Sequence, residues 1–230
     1  MKPVAAAPLA LLALEWARRL LRLRRHVPRY RQHWARRQGE PGGLLYVALG
    51  DSAAQGIGAS TPEHGYVGVL AERLRAATGR PVEVLNLSVS GAVLGDVLSE
   101  QLPALLRLRP DVVTLAVGGN DVRRHDRNRF ADQATALLAA LPAGTFVADA
   151  PYFMHGRWEV AAREICEVLH ARAADYDLVP APLNQAQRDR GWKAMVTDFA
   201  ADWFHPNDRG HRVWADAFWT SMKDRLPTAV

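Results

Sequence analysis

Asp111-Val112-Val113-Thr114-Leu115-Ala116-Val117, running straight into Gly118-Gly119-Asn120-Asp121, is the stretch on which the reading of the fold turns. It is apolar apart from Asp111 and Thr114 and rich in β-branched side chains, the pattern of a strand covered on both faces. The two glycines let the chain turn sharply and leave Asn120 aimed over the sheet edge. Outward from there, Leu44–Leu49 (LLYVAL) is a second continuous apolar run, and Val82–Leu87, Thr145–Ala150 and a short Tyr176–Pro180 read as further strands. Helical spacing fills the intervals: Tyr66–Ala77, stopped by Gly79; Gly95–Leu108, with Pro103 a kink or boundary; about Arg129–Leu141; and Trp158–Ala174. Asn207 is placed to cap a last helix running to about Arg225. Strands alternating with helices predict βαβ units, hence a mainly parallel sheet in a three-layer α/β/α sandwich.

The chain has 230 residues, room for one such domain and an appendage. Its net charge of +5 is unevenly held: residues 1–40 carry Lys2, nine Arg and only Glu15 and Glu40, so the remainder is mildly acidic. A basic arm (1–40) and a body (44–230) are therefore expected, joined by a hinge at Glu40-Pro41-Gly42-Gly43. Pro3–Leu14 is an apolar run, but it is too short to span a bilayer as a helix. No small-x-small cleavage site follows it, and the Arg cluster behind it is of the kind retained in the cytoplasm. Leu9, Leu12, Trp16, Leu20, Leu23 and Val27 share one helical face, with Arg18, Arg22, Arg25 and Arg29 opposite. That amphipathic pattern predicts peripheral contact with a membrane surface through residues 9–29. The other reading is a stripe that packs on the body or on a second subunit. No stacking platform accompanies the arginines, so nucleic acid is not the expected partner.

Three segments carry chemistry: Gly50-Asp51-Ser52, Gly118-Gly119-Asn120-Asp121 and Asp202-Trp203-Phe204-His205. Each lies where a strand ends or a helix begins, the place where α/β enzymes hold reacting groups. Ser52 at a strand-to-helix corner has an exposed hydroxyl and a free backbone N–H. Asn120 can donate to a developing oxyanion. A loop over three residues can bring the Asp202 carboxylate to the His205 Nδ1–H, leaving Nε2 for the serine. Each segment taken singly is also an ordinary turn, and their joint order points to a serine hydrolase. The surroundings of Ser52 match neither Gly-x-Ser-x-Gly nor a phosphate loop. Asp198 and Asp208 are the fallback orienters. The other histidines, His26, His33, His64, His125, His155, His170 and His211, lack comparable context. The single Cys166 gives no disulfide and no metal spacing, and it reads as a small core residue. No cofactor and no metal are expected.

From these blocks the chain resembles the SGNH hydrolases, the GDSL-type esterases and lipases, over about Leu44 to Arg225. The resemblance implies a flavodoxin-like sandwich and metal-free ester hydrolysis, with Ser52, Asp202 and His205 catalytic. It also implies an oxyanion hole made of Ser52 N–H, Gly91 N–H (in Asn86-Leu87-Ser88-Val89-Ser90-Gly91) and the Asn120 side chain. Ala53 departs from the larger residue usual after the serine. Trp192, Phe199, Trp203 and Phe204 near the base suggest a lipid or a short-to-medium-chain acyl ester, with core packing as their other reading. Carbohydrate O-acetyl esters and thioesters are the alternative substrates. A metal-dependent phosphoesterase would need an Asp-x-His near the first strand, and none precedes Gly50. A non-enzymatic, membrane-tethered binding protein is the remaining rival, disfavoured by the intact residue set.

Overall fold

A computed structural model of the chain describes residues 6–36 and 43–226, with side chains from residue 14 onward in the first segment. Five strands, β1 (Leu44–Gly50), β2 (Val82–Asn86), β3 (Val112–Ala116), β4 (Phe146–Ala148) and β5 (Val179–Ala181), form one sheet in the order β2-β1-β3-β4-β5. Every pairing is parallel, with Ala48 beside Asn86 and Gly50 beside Ala116. The order reverses at β1, so the crevice at the carboxyl ends of β1 and β3 is where such sheets bind ligands.

Side chains leave β1 alternately to two layers. Leu44, Tyr46 and Ala48 join α3 (Tyr66–Thr78) and α10 (Asp208–Met222) in one core, through Leu70, Leu74 and Phe218. Val47 and Leu49 join α6 (Arg127–Ala140) and α7 (Arg157–Asp175) in the other, through Leu137 and Ile165. This is the expected three-layer α/β/α sandwich. The short helix α2 (Ser52–Gln55) starts directly after β1.

The helix expected over Gly95–Leu108 is instead broken into α4 (Leu94–Asp96), a π-turn (Val97–Gln101) and α5 (Leu102–Leu105). The π-turn swings buried Gln101 inward, where its amide accepts from Gly50 N–H (2.9 Å) and donates to Gly50 C=O (2.8 Å). Gln101 thereby satisfies the Gly50 N–H at the buried end of β1 and adds a second donor to its carbonyl, which also accepts from Val89 N–H (3.2 Å). The expected strand at Tyr176–Pro180 begins only at Val179, because Tyr176 and Asp177 turn the chain, Asp177 at φ +54. Two further helices, α8 (Leu183–Asp189) and α9 (Lys193–Thr197), occupy a stretch without a clear sequence period.

The arm is one helix, α1 (Ala6–Arg36), running through Pro28. Pro28 lies on the exposed side of the helix, where the loss of one backbone N–H donor is least costly. Leu23, Tyr30 and Trp34 are buried against the body. Tyr30 Oη donates to Ala59 O (2.7 Å), Trp34 Nε1 to Gln55 O (3.0 Å) and Trp16 Nε1 to Ala201 O (2.9 Å). The stripe thus turns toward the body in its second half, and its register needs correcting. At 3.6 residues per turn Tyr30 and Trp34 stay within about 20° of Leu23 while Val27 drifts about 40°, and Val27 is exposed. Of the expected hinge, only Gly43 falls among the described residues. Among the described residues no helix is long and apolar enough to cross a membrane.

Candidate active site

Asp51 caps α2 by accepting from Ala53 N–H (2.9 Å), which sets Ser52 at the first helical position, where its N–H has no acceptor within the helix. Ser52 Oγ lies 2.9 Å from His205 Nε2, and His205 Nδ1 lies 2.5 Å from Asp202 Oδ2. The three residues predicted as a catalytic set therefore come together in one hydrogen-bonded line, although 153 positions separate Ser52 from His205.

The loop that carries Asp202 and His205 is closed by short-range bonds. Ala200 N–H donates to His205 O (2.8 Å), and Trp203 N–H to Ala200 O (3.1 Å). Trp203 takes a left-handed backbone, φ +56, which folds Asp202 back toward His205. Asp202 Oδ1 then accepts from the backbone N–H of Phe204 (3.1 Å) and His205 (3.0 Å). Burial pushes the Asp202 pKa up, but the hydrogen bond from the His205 ring and these N–H groups outweigh it and hold the carboxyl below its ordinary range. The base of the loop is fastened by Asp198, which takes a forked pair of bonds from Arg190 (2.8 and 3.0 Å). Gly58 passes directly beneath: a Cβ there would stand 2.1 Å from Pro206 O and 3.0 Å from His205 Cβ, and its φ is +100. Only glycine lets the segment after Ser52 and the loop carrying His205 approach this closely.

Neither fallback orienter reaches His205. Asp198 is spent on Arg190, and Asp208 accepts from Ser60 N–H (2.6 Å) and Ser60 Oγ (2.7 Å). His211 is a fully buried core residue, bonded to Ile57 O (3.1 Å) and Tyr66 N–H (3.3 Å).

The loop after β2 is tied to α2 by Asn86 Nδ2 to Ala54 O (2.7 Å), Gln55 Nε2 to Ser88 O (2.9 Å) and Ser90 Oγ to Gln55 Oε1 (2.7 Å). This holds Gly91, at φ +88, on the same sheet edge as Ser52. A Cβ on Gly91 would meet open space, so the backbone angle and not crowding asks for glycine. Asn120 also reaches this edge, but its amide is engaged, donating to Asp51 Oδ2 (3.2 Å) and Ala92 O (3.1 Å). Burial pushes Asp51 up to about 6, and Asp121, which accepts from Leu94 N–H, is likewise pushed up to about 6 by burial.

Ser52 and His205 open into a cavity of about 270 Å³ walled chiefly by Phe153, Met154, Met195, Phe199, Trp203 and Phe204. Three of the four aromatics singled out in the sequence thus face the site. Trp192 does not, standing 70% exposed at the surface. The Pro151–His155 segment, Trp158 and Gln187 are wall residues that the sequence reading missed. Their signal was position: the segment directly follows β4, where loops at the carboxyl edge of a parallel sheet face the crevice. Among the described residues no three His, Cys, Asp or Glu side chains converge to hold a metal ion.

The profile of the GDSL-like Lipase/Acylhydrolase family matches residues 48–213, and the chain belongs to that family of serine ester hydrolases. Its fold is similar to that of LAE5, an alpha/beta hydrolase enzyme from the metagenome of Lake Arreo, Spain (23% identity, TM-score 0.67, 81% of this chain and 97% of that one). It is similar also to a single-substitution form of Axe2, an acetyl xylan esterase from Geobacillus stearothermophilus (19%, 0.66, 84% and 100%). A third such structure is TesA (24%, 0.64, 79% and 99%). No curated protein sequence matches. These structures are covered almost whole, while about a fifth of this chain has no counterpart in them.

Proposed function

We propose that the body from Leu44 onward hydrolyses carboxylic esters through an acyl-enzyme on Ser52, with a lipid or short-to-medium-chain acyl ester as substrate. The observation that carries this is the line from Ser52 Oγ through His205 to Asp202 at the floor of an apolar cavity. His205 Nε2 takes the hydroxyl proton as Oγ attacks the carbonyl carbon. Asp202 holds the Nδ1–H tautomer and favours the imidazolium. The oxyanion is received by the N–H groups of Ser52 and Gly91 and by Asn120, which redirects the N–H now given to Asp51 at 3.2 Å. Collapse expels the alkoxide, which takes the proton from His205 and leaves as the alcohol. Water then gives a proton to His205 and attacks the acyl group, and the second collapse frees the acid and restores Ser52.

Hydrolysis of p-nitrophenyl esters from two to twelve carbons, with Ser52→Ala alongside, tests this reading. Activity that rises with chain length and vanishes in the variant supports it. Activity on acetate alone moves the substrate to O-acetyl groups, as in the acetyl xylan esterase. Cleavage of acyl thioesters alone makes the protein a thioesterase. Equal rates in wild type and variant overturn the role of Ser52.

For the arm we propose a peripheral contact with an anionic membrane surface, on the cytoplasmic face. The packed side of α1 is used by the body, and the outward side presents Arg18, Arg22, Arg25 and Arg29 with exposed Leu14 and Leu21. Co-sedimentation with phosphatidylglycerol vesicles should be strong for the wild type. It should be weak for an Arg18→Glu, Arg22→Glu, Arg25→Glu variant. Equal sedimentation of the two rejects the proposal.

A further inference from the structure

Beside the Ser52 cavity lies a second depression, of about 460 Å³, between the first half of α1 and the base loop. Trp16 forms its α1 side, Met195 and Val196 of α9 form the other, and Ala200, Ala201 and Trp203 lie between. Met195, Phe199 and Trp203 line both spaces. Met195 and Trp203 are themselves exposed, 41% and 59%, so the shared boundary is an open rim and not a sealed partition.

The chemistry of this depression is apolar. Its charged pair, Glu15 and Arg19, is internally neutralised at 3.2 Å. Trp16 and Val196 leave 50% and 66% of their surface in water, a grouping of large exposed side chains that marks a binding surface when it adjoins a site.

We infer that α1 completes the substrate site: the depression receives the distal part of a long acyl chain whose carbonyl sits at Ser52. The inference rests on the ester-hydrolase reading above and adds to it the substrate class, a long-chain acyl ester, and the residues that select it. The chain leaves the inner cavity across Met195 and Trp203 and runs along Trp16 and Val196. Each methylene buried there raises kcat/KM by roughly three- to fourfold, the value of removing one CH₂ from water.

The test compares kcat/KM on p-nitrophenyl laurate with that on the acetate, in the full chain. Wild type, Val196→Asp, Trp16→Ala and Trp16→Phe are assayed below the aggregation limit of the laurate. The laurate-to-acetate ratio should fall about tenfold in Val196→Asp and in Trp16→Ala. It should stay near wild type in Trp16→Phe, which keeps an apolar ring but loses the hydrogen bond to Ala201. A ratio within twofold of wild type in both Val196→Asp and Trp16→Ala overturns the inference, whether or not overall activity drops. So does a wild type that does not cut laurate, or a ratio that falls as far in Trp16→Phe as in Trp16→Ala. Acetate hydrolysis that survives Ser52→Ala would instead sink the underlying assignment of Ser52, a separate failure.

Discussion

Trp203 is a non-glycine residue held at φ +56 one position after Asp202. Such a conformation costs on the order of 1–3 kcal/mol and persists only where the surroundings over-determine it. Here those are the Ala200–His205 and Trp203–Ala200 backbone bonds and the grip of Arg190 on Asp198. What they secure is the 2.5 Å contact from Asp202 to His205 Nδ1. Asp202→Asn should therefore lower kcat by roughly 10⁴ with little change in KM, because the amide no longer fixes the tautomer that leaves Nε2 free for Ser52. Steady-state kinetics on a short ester checks it; a drop below tenfold would mean that the contact is structural. The Asp-x-x-His spacing was legible in the sequence. Arg190 and Gly58 were not, since nothing local marks an ion pair eight residues long or a glycine chosen for an approach from 147 positions away.

At the scale of elements, α1 is where sequence and structure part most. Its stripe and its basic back were both legible, but which surface the stripe meets depends on where the body offers an apolar slot. That slot is the α2–α3 side of the sheet, where Trp34 is 2% exposed and shares a core with Leu44, Tyr66 and Leu70. Trp34→Ala should cost about 3–5 kcal/mol of unfolding free energy. Trp192→Ala, at a ring 70% exposed, should change it by less than about 0.5 kcal/mol. Urea titration of both variants decides whether arm and body unfold together; a neutral Trp34→Ala would make α1 a loosely held appendage. The broken helix before β3 was illegible for a related reason. Apolar spacing over 95–108 fits a regular helix, and the need to satisfy Gly50 with Gln101 exists only once β1 is next to it.

Over the whole molecule, buried titratable groups give stability a pH dependence of two opposed parts. Burial pushes His211 down to about 4, against an unfolded value near 6.5. The unfolded chain then binds the proton first, so this contribution is complete above about 6.5 and is lost as pH falls through 4. A difference of that size corresponds to roughly 3 kcal/mol. Asp121 is raised to about 6, so the folded chain binds the proton first. Its contribution is present below about 3.8 and is lost as pH rises through 6. Measured as Tm from pH 4 to 7, wild type should lose ground to His211→Gln on acidification and gain ground on Asp121→Asn. Parallel curves for either pair would show that the group in question titrates alike folded and unfolded.

Periodicity and turn chemistry are local properties, so the sequence by itself determined the strands, the parallel sandwich and the residues gathered at the carboxyl edge of the sheet. It determined too that the arm would be a helix with one apolar face, since that follows from spacing along a single element. Tertiary structure alone decided what that face meets, where the Asn120 amide points and which side chains wall the cavity. Each of these is a choice among partners distant in the chain, made by packing and by the cost of leaving a buried polar group unpaired.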